Sequence, residues 1–398
     1  MARNPPSNRS SLPSASRKRP HVALLIETSL GSGRDILRGI ARYVRERDTW
    51  ALYHEPHGLG DQVPPWLHSW HGDGIIARIQ TREMASQLAQ IGVPVIDVLG
   101  LVGGLPFPLV HVDNGAIARM AAEHLLERGF RRFGYFGIEG ENWSAARYGA
   151  FSAAVADVQS EVPIYQTRRD AAGKRSWERA QDRLARWVTA LPKPAGVLVC
   201  SDQRGPQFLE ACRRAGVSVP DEIAVVGVDN DEPLCEVCLP PLSSVQANHL
   251  QVGYRAAALL DTLRSGAAAP EAAVLVEPQQ VVARLSTDVL SINDPAIATA
   301  LRLIREHAHE RIHVDAIAHQ VGLSRSVLQR NFRALLNRSV HDEILAARIR
   351  RARELLAGTD LPLAVVAERA GFTHQEYMGA VFKTHIGKTP ARVRKEDR

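Results

Sequence analysis

The chain has 398 residues, 45% of them hydrophobic and 23% charged, and Lys and Arg exceed Asp and Glu by six. That length is more than one typical domain and leaves room for a large core, while the ordinary globular composition excludes wholesale disorder. No apolar run approaches the ~18–20 residues that span a bilayer, and no small-residue cleavage site follows the short apolar run at 21–26, so a cytoplasmic protein is expected.

Charge is unevenly spread. Residues 1–20 carry five Lys or Arg and no acids, residues 21–296 carry 26 basic against 32 acidic side chains, and residues 297–398 carry 18 against 11. A disordered basic tail (1–20), an acidic central module and a basic C-terminal module that approaches a polyanion follow from this. The four cysteines suit a reducing compartment. Cys235 and Cys238 form a C-x-x-C without a second pair to complete a zinc site, so packed thiols are expected and no metal.

From residue 21 onward short apolar runs alternate with longer helical patterns. The runs at 21–27, 74–79, 93–98, 132–137, 195–200 and 223–228 lack strict polar alternation, and amphipathic stretches such as 116–130 separate them. This predicts an α/β fold with a parallel sheet covered on both faces, in which ligands sit at the carboxyl ends of strands.

The first strand-end loop carries Gly31 and Gly33, and Glu55 ends the next run, as in a dinucleotide-binding turn. Ile36 stands where the third glycine belongs, and Arg34 projects from the same turn, a more natural partner for a hydroxylated or anionic ligand. No G-x-S-x-G elbow or H-E-x-x-H helix occurs, so neither an enzyme nor a bound cofactor is expected. Later strand ends offer Asp202 in "SDQRG" and Asp229 in "DNDE", with Trp143 and Arg147 together in "ENWSAAR". Charged planes that exchange paired hydrogen bonds with vicinal hydroxyls, beside an aromatic ring for the C–H face, suit a sugar. Each of these residues alone also reads as a cap, a turn former or core.

Beyond a polar linker at 286–295, ending in Asn-Asp-Pro, a leading helix occupies 296–310. Residues 314–336 read as helix-turn-helix, with Ala318 for close approach, Gly322 for the turn and Ser324 as cap. Val327, Leu328, Phe332, Leu335 and Leu336 are expected inside, leaving Arg325, Ser326, Gln329 and Arg330 outward. A connecting helix (340–359) leads to a second unit at 363–383, where Ala367 and Gly371 repeat Ala318 and Gly322. Tyr377, Met378, Val381, Phe382 and Ile386 form its expected buried side, and His374, Gln375, Glu376 and Gly379 its exposed one. Two recognition helices on a rigid linking helix fit successive major-groove segments of double-stranded DNA, with Arg reaching guanine or phosphate and Gln reaching adenine.

The segments "GVSVPDEIAVVGVDND" (216–231) and "HVDNGAIARMAAEHLLERGFRRFGYFG" (111–137) resemble the effector domain of lactose-repressor-type regulators, which is similar to periplasmic ribose-binding proteins. The resemblance covers roughly 21–285 and implies two α/β lobes with the ligand in their cleft, Arg147 and Asp229 binding sugar hydroxyls and Asp202 at a further pocket position. "GFTHQEYMGAVFKTHIGKTP" (371–390) is similar to the DNA-binding domain of arabinose-regulator-type (AraC) activators, except that Gly379 and Ala380 replace the usual Ser-Arg pair. The two together, with "WLHSWHGDGIIARI" and "SINDPAI", look like the bacterial xylose operon regulator family. That resemblance implies a sugar-responsive activator of a xylose-type operon, with operator DNA, a small sugar effector (xylose or related), a homodimeric state and RNA polymerase as partners. The alternatives are a constitutive DNA-binding regulator with a non-sugar or vestigial pocket and, behind it, a dinucleotide-dependent α/β enzyme.

Overall fold

A computed structural model describes residues 19–47, 50–56, 58, 64–167, 174–288, 294–310, 312–336 and 338–396. Most of the basic tail and residues 289–293 of the expected linker lie outside these. Strands β1 (His21–Leu25), β2 (Ala51–His54), β3 (Gly74–Ala77) and β4 (Val95–Asp97) form a parallel sheet in the order β2-β1-β3-β4. Helices α1 (Gly31–Arg47) and α2 (Arg82–Gln90) are the crossovers within this first lobe. Its inner strands are buried on both faces, which is why they read as unbroken apolar runs.

The chain leaves this lobe through β5 (Val110–Val112) and enters a second one. There α3 (Asn114–Glu127), β6 (Phe133–Ile138), α4 (Asn142–Ala154), β7 (Ile164–Thr167), α5 (Lys174–Ala190), β8 (Ala195–Val199), α6 (Gly205–Arg214) and β9 (Ile223–Val228) follow in alternation. The short helix α7 (Glu232–Val237) and β10 (Ser243–Gln246) complete the parallel part of the sheet. Helix α8 (His249–Arg264) returns to the first lobe, β11 (Val274–Val276) pairs with β5, and β12 (Gln280–Val282) closes the second sheet antiparallel to β10. The second sheet runs β12-β10-β9-β8-β6-β7. Three passages therefore join the lobes, as two-lobed periplasmic-binding-protein-like folds require.

α1 and α8 cross with their backbones touching. A Cβ on Gly39 would lie 1.9 Å from the Leu250 carbonyl, and one on Gly253 would lie 2.0 Å from that of Ile36, so only glycine permits this approach. Ser286 and Thr287, read from sequence as linker, are fully buried on the second lobe, where Ser286 Oγ donates to the Val225 carbonyl at 2.6 Å.

The remaining chain is helical: α9 (Pro295–His307), α10 (Val314–Gln320), α11 (Arg325–Leu336), α12 (Val340–Gly358), α13 (Leu363–Arg369), α14 (Gln375–Ile386) and α15 (Pro390–Glu396). Asp294 caps α9 by accepting from the amides of Ala296 and Ile297, as Asn-Asp-Pro led us to expect. Two separate cores share α12. Its first half packs Val340 and Ile344 with Leu328 and Phe332, and its second half packs Ala352 and Leu356 with Met378 and Phe382.

Candidate sugar cleft and DNA-reading face

A cavity of about 300 Å³ opens between the two lobes. Four of the five residues singled out for a ligand, Trp143, Arg147, Asp202 and Asp229, line it together. Arg147 on α4 is almost wholly buried. Its Nε donates to Asn114 Oδ1 at 2.9 Å, Nη1 donates to the Cys200 carbonyl, and Nη2 stands 4.0 Å from Asp229 Oδ1. The guanidinium also lies 5.0 Å from the centroid of the Trp143 ring, whose Nε1 donates to Glu141 at 2.8 Å.

Asp229 follows β9 with φ at 106°, a region that a non-glycine residue occupies at a cost of order 1–3 kcal/mol. Its amide is held by the Val245 carbonyl at 2.9 Å, and Asn230, also at positive φ, donates to Ser244 Oγ at 3.0 Å. The strain turns the Asp229 carboxylate into the cleft, 3.0 Å from His249 Nε2. Burial pushes this carboxyl up, but the hydrogen bond and charge of His249, with Arg147 behind them, outweigh it and hold Asp229 below its usual range.

Asp202 behaves differently. Burial, followed by the neighbouring Asp229 charge, pushes it up to about 8. Its oxygens are already engaged by the Asp231 amide at 2.8 Å, Ser244 Oγ at 2.7 Å and the Cys235 thiol at 3.4 Å. All four cysteines are free and buried, and no group of metal-ligating side chains occurs among the described residues. Arg34 stands outside the cavity wall: it donates to the Thr28 carbonyl at 2.8 Å and lies 3.9 Å from Asp231.

The sequence reading missed Arg78, His111, Asp231 and His249, which also line the cavity. Arg78 directly follows β3 and was findable by the strand-end rule. Its Nη1 donates to Ser32 Oγ at 3.0 Å and lies 2.6 Å from Glu27 Oε1, whose side chain is fully buried. His111 is driven down to about 3, by burial and then by the charge of His249, and is neutral.

In the helical part, Gly322 and Gly371 turn the chain at φ of 69° and 84°, with Ala318 and Ala367 buried at the two crossings. Arg325, Ser326, Gln329 and Arg330 are exposed along α11, and Arg325 pairs with Asp315 at 3.0 Å. In the second unit His374 is the N-cap of α14, Gln375 and Glu376 are exposed on its first turn, and Gly379 is half-buried. Two residues expected inside are not: Leu335 is 51% and Tyr377 41% exposed. Leu328, Phe332 and Leu336, spaced by four, already fill the α11 seam, whereas Tyr377 lays its ring edge-on against Phe372, with centroids 6.0 Å apart.

The repeat is not of constant spacing. Four residues separate α10 from α11 and five separate α13 from α14. Leu328 and Phe332 therefore correspond to Met378 and Phe382, fifty positions on, and the outward pair Gln329–Arg330 corresponds to Gly379–Ala380.

Residues 21–104 match the XylR N-terminal domain family, 122–287 a periplasmic binding protein-like domain and 317–396 a helix-turn-helix domain. The chain is 32% identical over 387 residues to the xylose operon regulatory protein of Escherichia coli K12, covering 95% of this chain and 97% of that one. It is 30% identical over 381 residues to the protein of that name from Haemophilus influenzae, covering 94% and 97%. A solved structure described as a xylose-binding transcription activator superposes with a TM-score of 0.79 at 31% identity, covering 96% of this chain and 99% of that one. These relatives are regulators rather than enzymes. Gly33 accordingly has a structural reason in place of a dinucleotide one, because a Cβ there would lie 2.0 Å from the Glu27 carbonyl. A two-lobed α/β unit with a polar cleft, followed by paired helix-turn-helix motifs, thus makes this chain a member of the xylose operon regulator family of sugar-responsive, DNA-binding transcription regulators.

Proposed function

We propose that residues 21–285 bind D-xylose or a closely related pentose, and that residues 296–398 then engage operator DNA and activate transcription. The observation that carries this reading is the grouping of Arg147, Asp229 and His249 beside Trp143 in one interlobe cavity. A guanidinium, an ionised carboxylate and an imidazole supply donors and acceptors to neighbouring hydroxyls, and the indole supplies apolar surface for C–H groups. Asp202, internally bonded, acts from the cavity wall, and Arg34 acts at its rim.

Sugar that prefers the closed lobes shifts the population toward them and alters how the DNA-binding units of a homodimer are presented to paired half-sites. Arg325, Ser326, Gln329 and Arg330 read the first major-groove segment of each half-site. His374, Gln375, Glu376 and Gly379 face the second, with fewer long side chains to reach bases. Residues 1–20 serve as a basic arm and residues 288–295 as the joint between the units. RNA polymerase is the downstream partner and the cytoplasm the site of action; no described helix is long and apolar enough to cross a membrane.

Thermal unfolding against a panel of pentoses and hexoses tests this reading. A ligand at 100 times its dissociation constant stabilises the unit that binds it by about 2.7 kcal/mol. A selective shift with D-xylose is expected, and an unshifted curve with every sugar would refute the effector assignment.

A further inference from the structure

We infer that the two lobes are held together by clasps at both sides of the cleft, Asp231 on Gly31 and Asn142 on Leu101, and that these clasps set the residence time of the sugar. The inference rests on the cleft being the sugar site. The first clasp joins residues 200 apart in sequence: Asp231, in the turn after β9, accepts from the Gly31 amide at 3.1 Å. Gly31 opens the 17-residue helix α1, so the carboxylate meets unpaired amides and the positive end of the helix dipole, with the Arg34 guanidinium 3.9 Å away.

Two further features show that this contact is built in. A Cβ on Gly31 would stand 2.8 Å from Asp231 Oδ2 and 2.9 Å from its Cγ, so a larger residue at 31 would push the carboxylate from its present seat. The Asp231 amide, for its part, is pinned to Asp202 Oδ2 at 2.8 Å, which fixes the side chain's starting point on the second lobe.

The second clasp is Asn142, the first residue of α4, whose Nδ2 donates to the Leu101 carbonyl at 2.6 Å. Leu101 follows β4 on the first lobe. In the first sheet β3 lies between β1 and β4, and in the second sheet β8 lies between β9 and β6. The clasps are therefore displaced to either side of the cavity, and both must break before the lobes can part. Contacts made only in the closed form slow dissociation more than association.

Stopped-flow tryptophan fluorescence on the full chain with D-xylose, repeated with D-ribose and L-arabinose where they bind, measures both rates. Asp231→Ala should speed dissociation about tenfold, as expected for losing a hydrogen bond to a charged group, with association changed less than about twofold. Asp231→Asn, which keeps an acceptor for the Gly31 amide, should fall between Asp231→Ala and the unaltered chain. Asn142→Ala, outside the cavity wall, should give about threefold, and the double variant about the product. The melting temperature without sugar should stay put. Unchanged dissociation rates, a factor that differs from sugar to sugar, or an equal loss of sugar-free stability would each overturn the clasp. If the unaltered chain binds no sugar at all, it is the effector assignment beneath it that fails.

Discussion

Replacing Glu27 isolates a charge that the cleft cannot leave alone. Arg78 reaches into the cavity with its side chain 10% exposed, and its counter-ion Glu27, at 0%, touches it at 2.6 Å. Among the described residues neither Glu27 oxygen has a hydrogen-bond donor in line and the Arg78 Nε is likewise unbonded, so the pair rests on charge attraction. Two unit charges about 4 Å apart attract by about 4 kcal/mol at the effective dielectric of ~20 that suits such sites. Removing one member of a buried pair costs about 3–5 kcal/mol, because the other stays desolvated without compensation. Glu27→Gln should therefore destabilise the sugar-binding unit by about 3 kcal/mol. Arg78→Met should cost less, since a lone buried carboxyl can take up a proton. Glu27→Gln with Arg78→Met should recover most of the loss, giving a coupling of about 2–3 kcal/mol in a double-mutant cycle. Urea unfolding followed by tryptophan fluorescence reads all four proteins. Additivity within about 0.5 kcal/mol would refute the ion-pair argument. Loss of sugar binding in both Arg78 variants is expected whatever their stability, because Arg78 is then absent from the cavity wall.

Other consequences follow from single groups. Asp202 keeps its proton in the fold up to about 8, whereas an unfolded carboxyl loses it near ~4. Its contribution is fully present below the lower value and lost as pH rises toward the higher one, so Asp202→Asn should flatten the fall in melting temperature between pH 5 and pH 8, and an unaltered slope would contradict this. Arg330→Ala should weaken operator binding and relax sequence preference in a gel-shift titration more than Gln375→Ala does, and the reverse order would place specificity in the second motif. Operator affinity should fall with salt along a log–log slope of about −4 or steeper, as at least four or five neutralised phosphates require, and a flat response would contradict DNA binding by this basic module. Phe332→Ala, which empties a fully buried site in the first helical core, should cost about 3–5 kcal/mol and abolish DNA binding while leaving sugar binding intact.

The buried parallel strands other than β10, whose Ser243 and Ser244 break the apolar run, were legible because residues covered on both faces are mostly apolar without interruption; β6 and β9 are buried along their entire lengths. The crossing and edge strands β5, β7, β11 and β12 were not found as strands from residue patterns, being three or four residues long and, apart from β5, partly exposed. Site residues split along the same line. Asp202, Asp229 and Arg147 lie just after strands or on the helix that follows one, where position alone marks them. Glu27 is also at a strand end, but its role appears only once Arg78, just past the neighbouring strand β3, is placed beside it. Asp231 and Asn142 act across the cleft on backbone groups of the other lobe, and no local pattern encodes such a contact.

The two modules are joined differently from the way each is built. Within the helical module α12 contributes to both cores, so the spacing between the two recognition helices is fixed by packed apolar side chains. Toward the sugar-binding unit the same module presents charges: Arg305 on α9 pairs with Asp221, and Arg350 on α12 pairs with Asp288 at 2.7 Å while also lying 3.8 Å from Glu343. Polar contacts of this kind resemble transient interfaces, in which relative domain motion is the ordinary expectation, whereas a packed core resists deformation. Orientation of the helical module is thus the softer coordinate and the distance between its reading heads the stiffer one. A sugar that changes the lobes can therefore alter where the DNA-reading pair points without altering what spacing it reads.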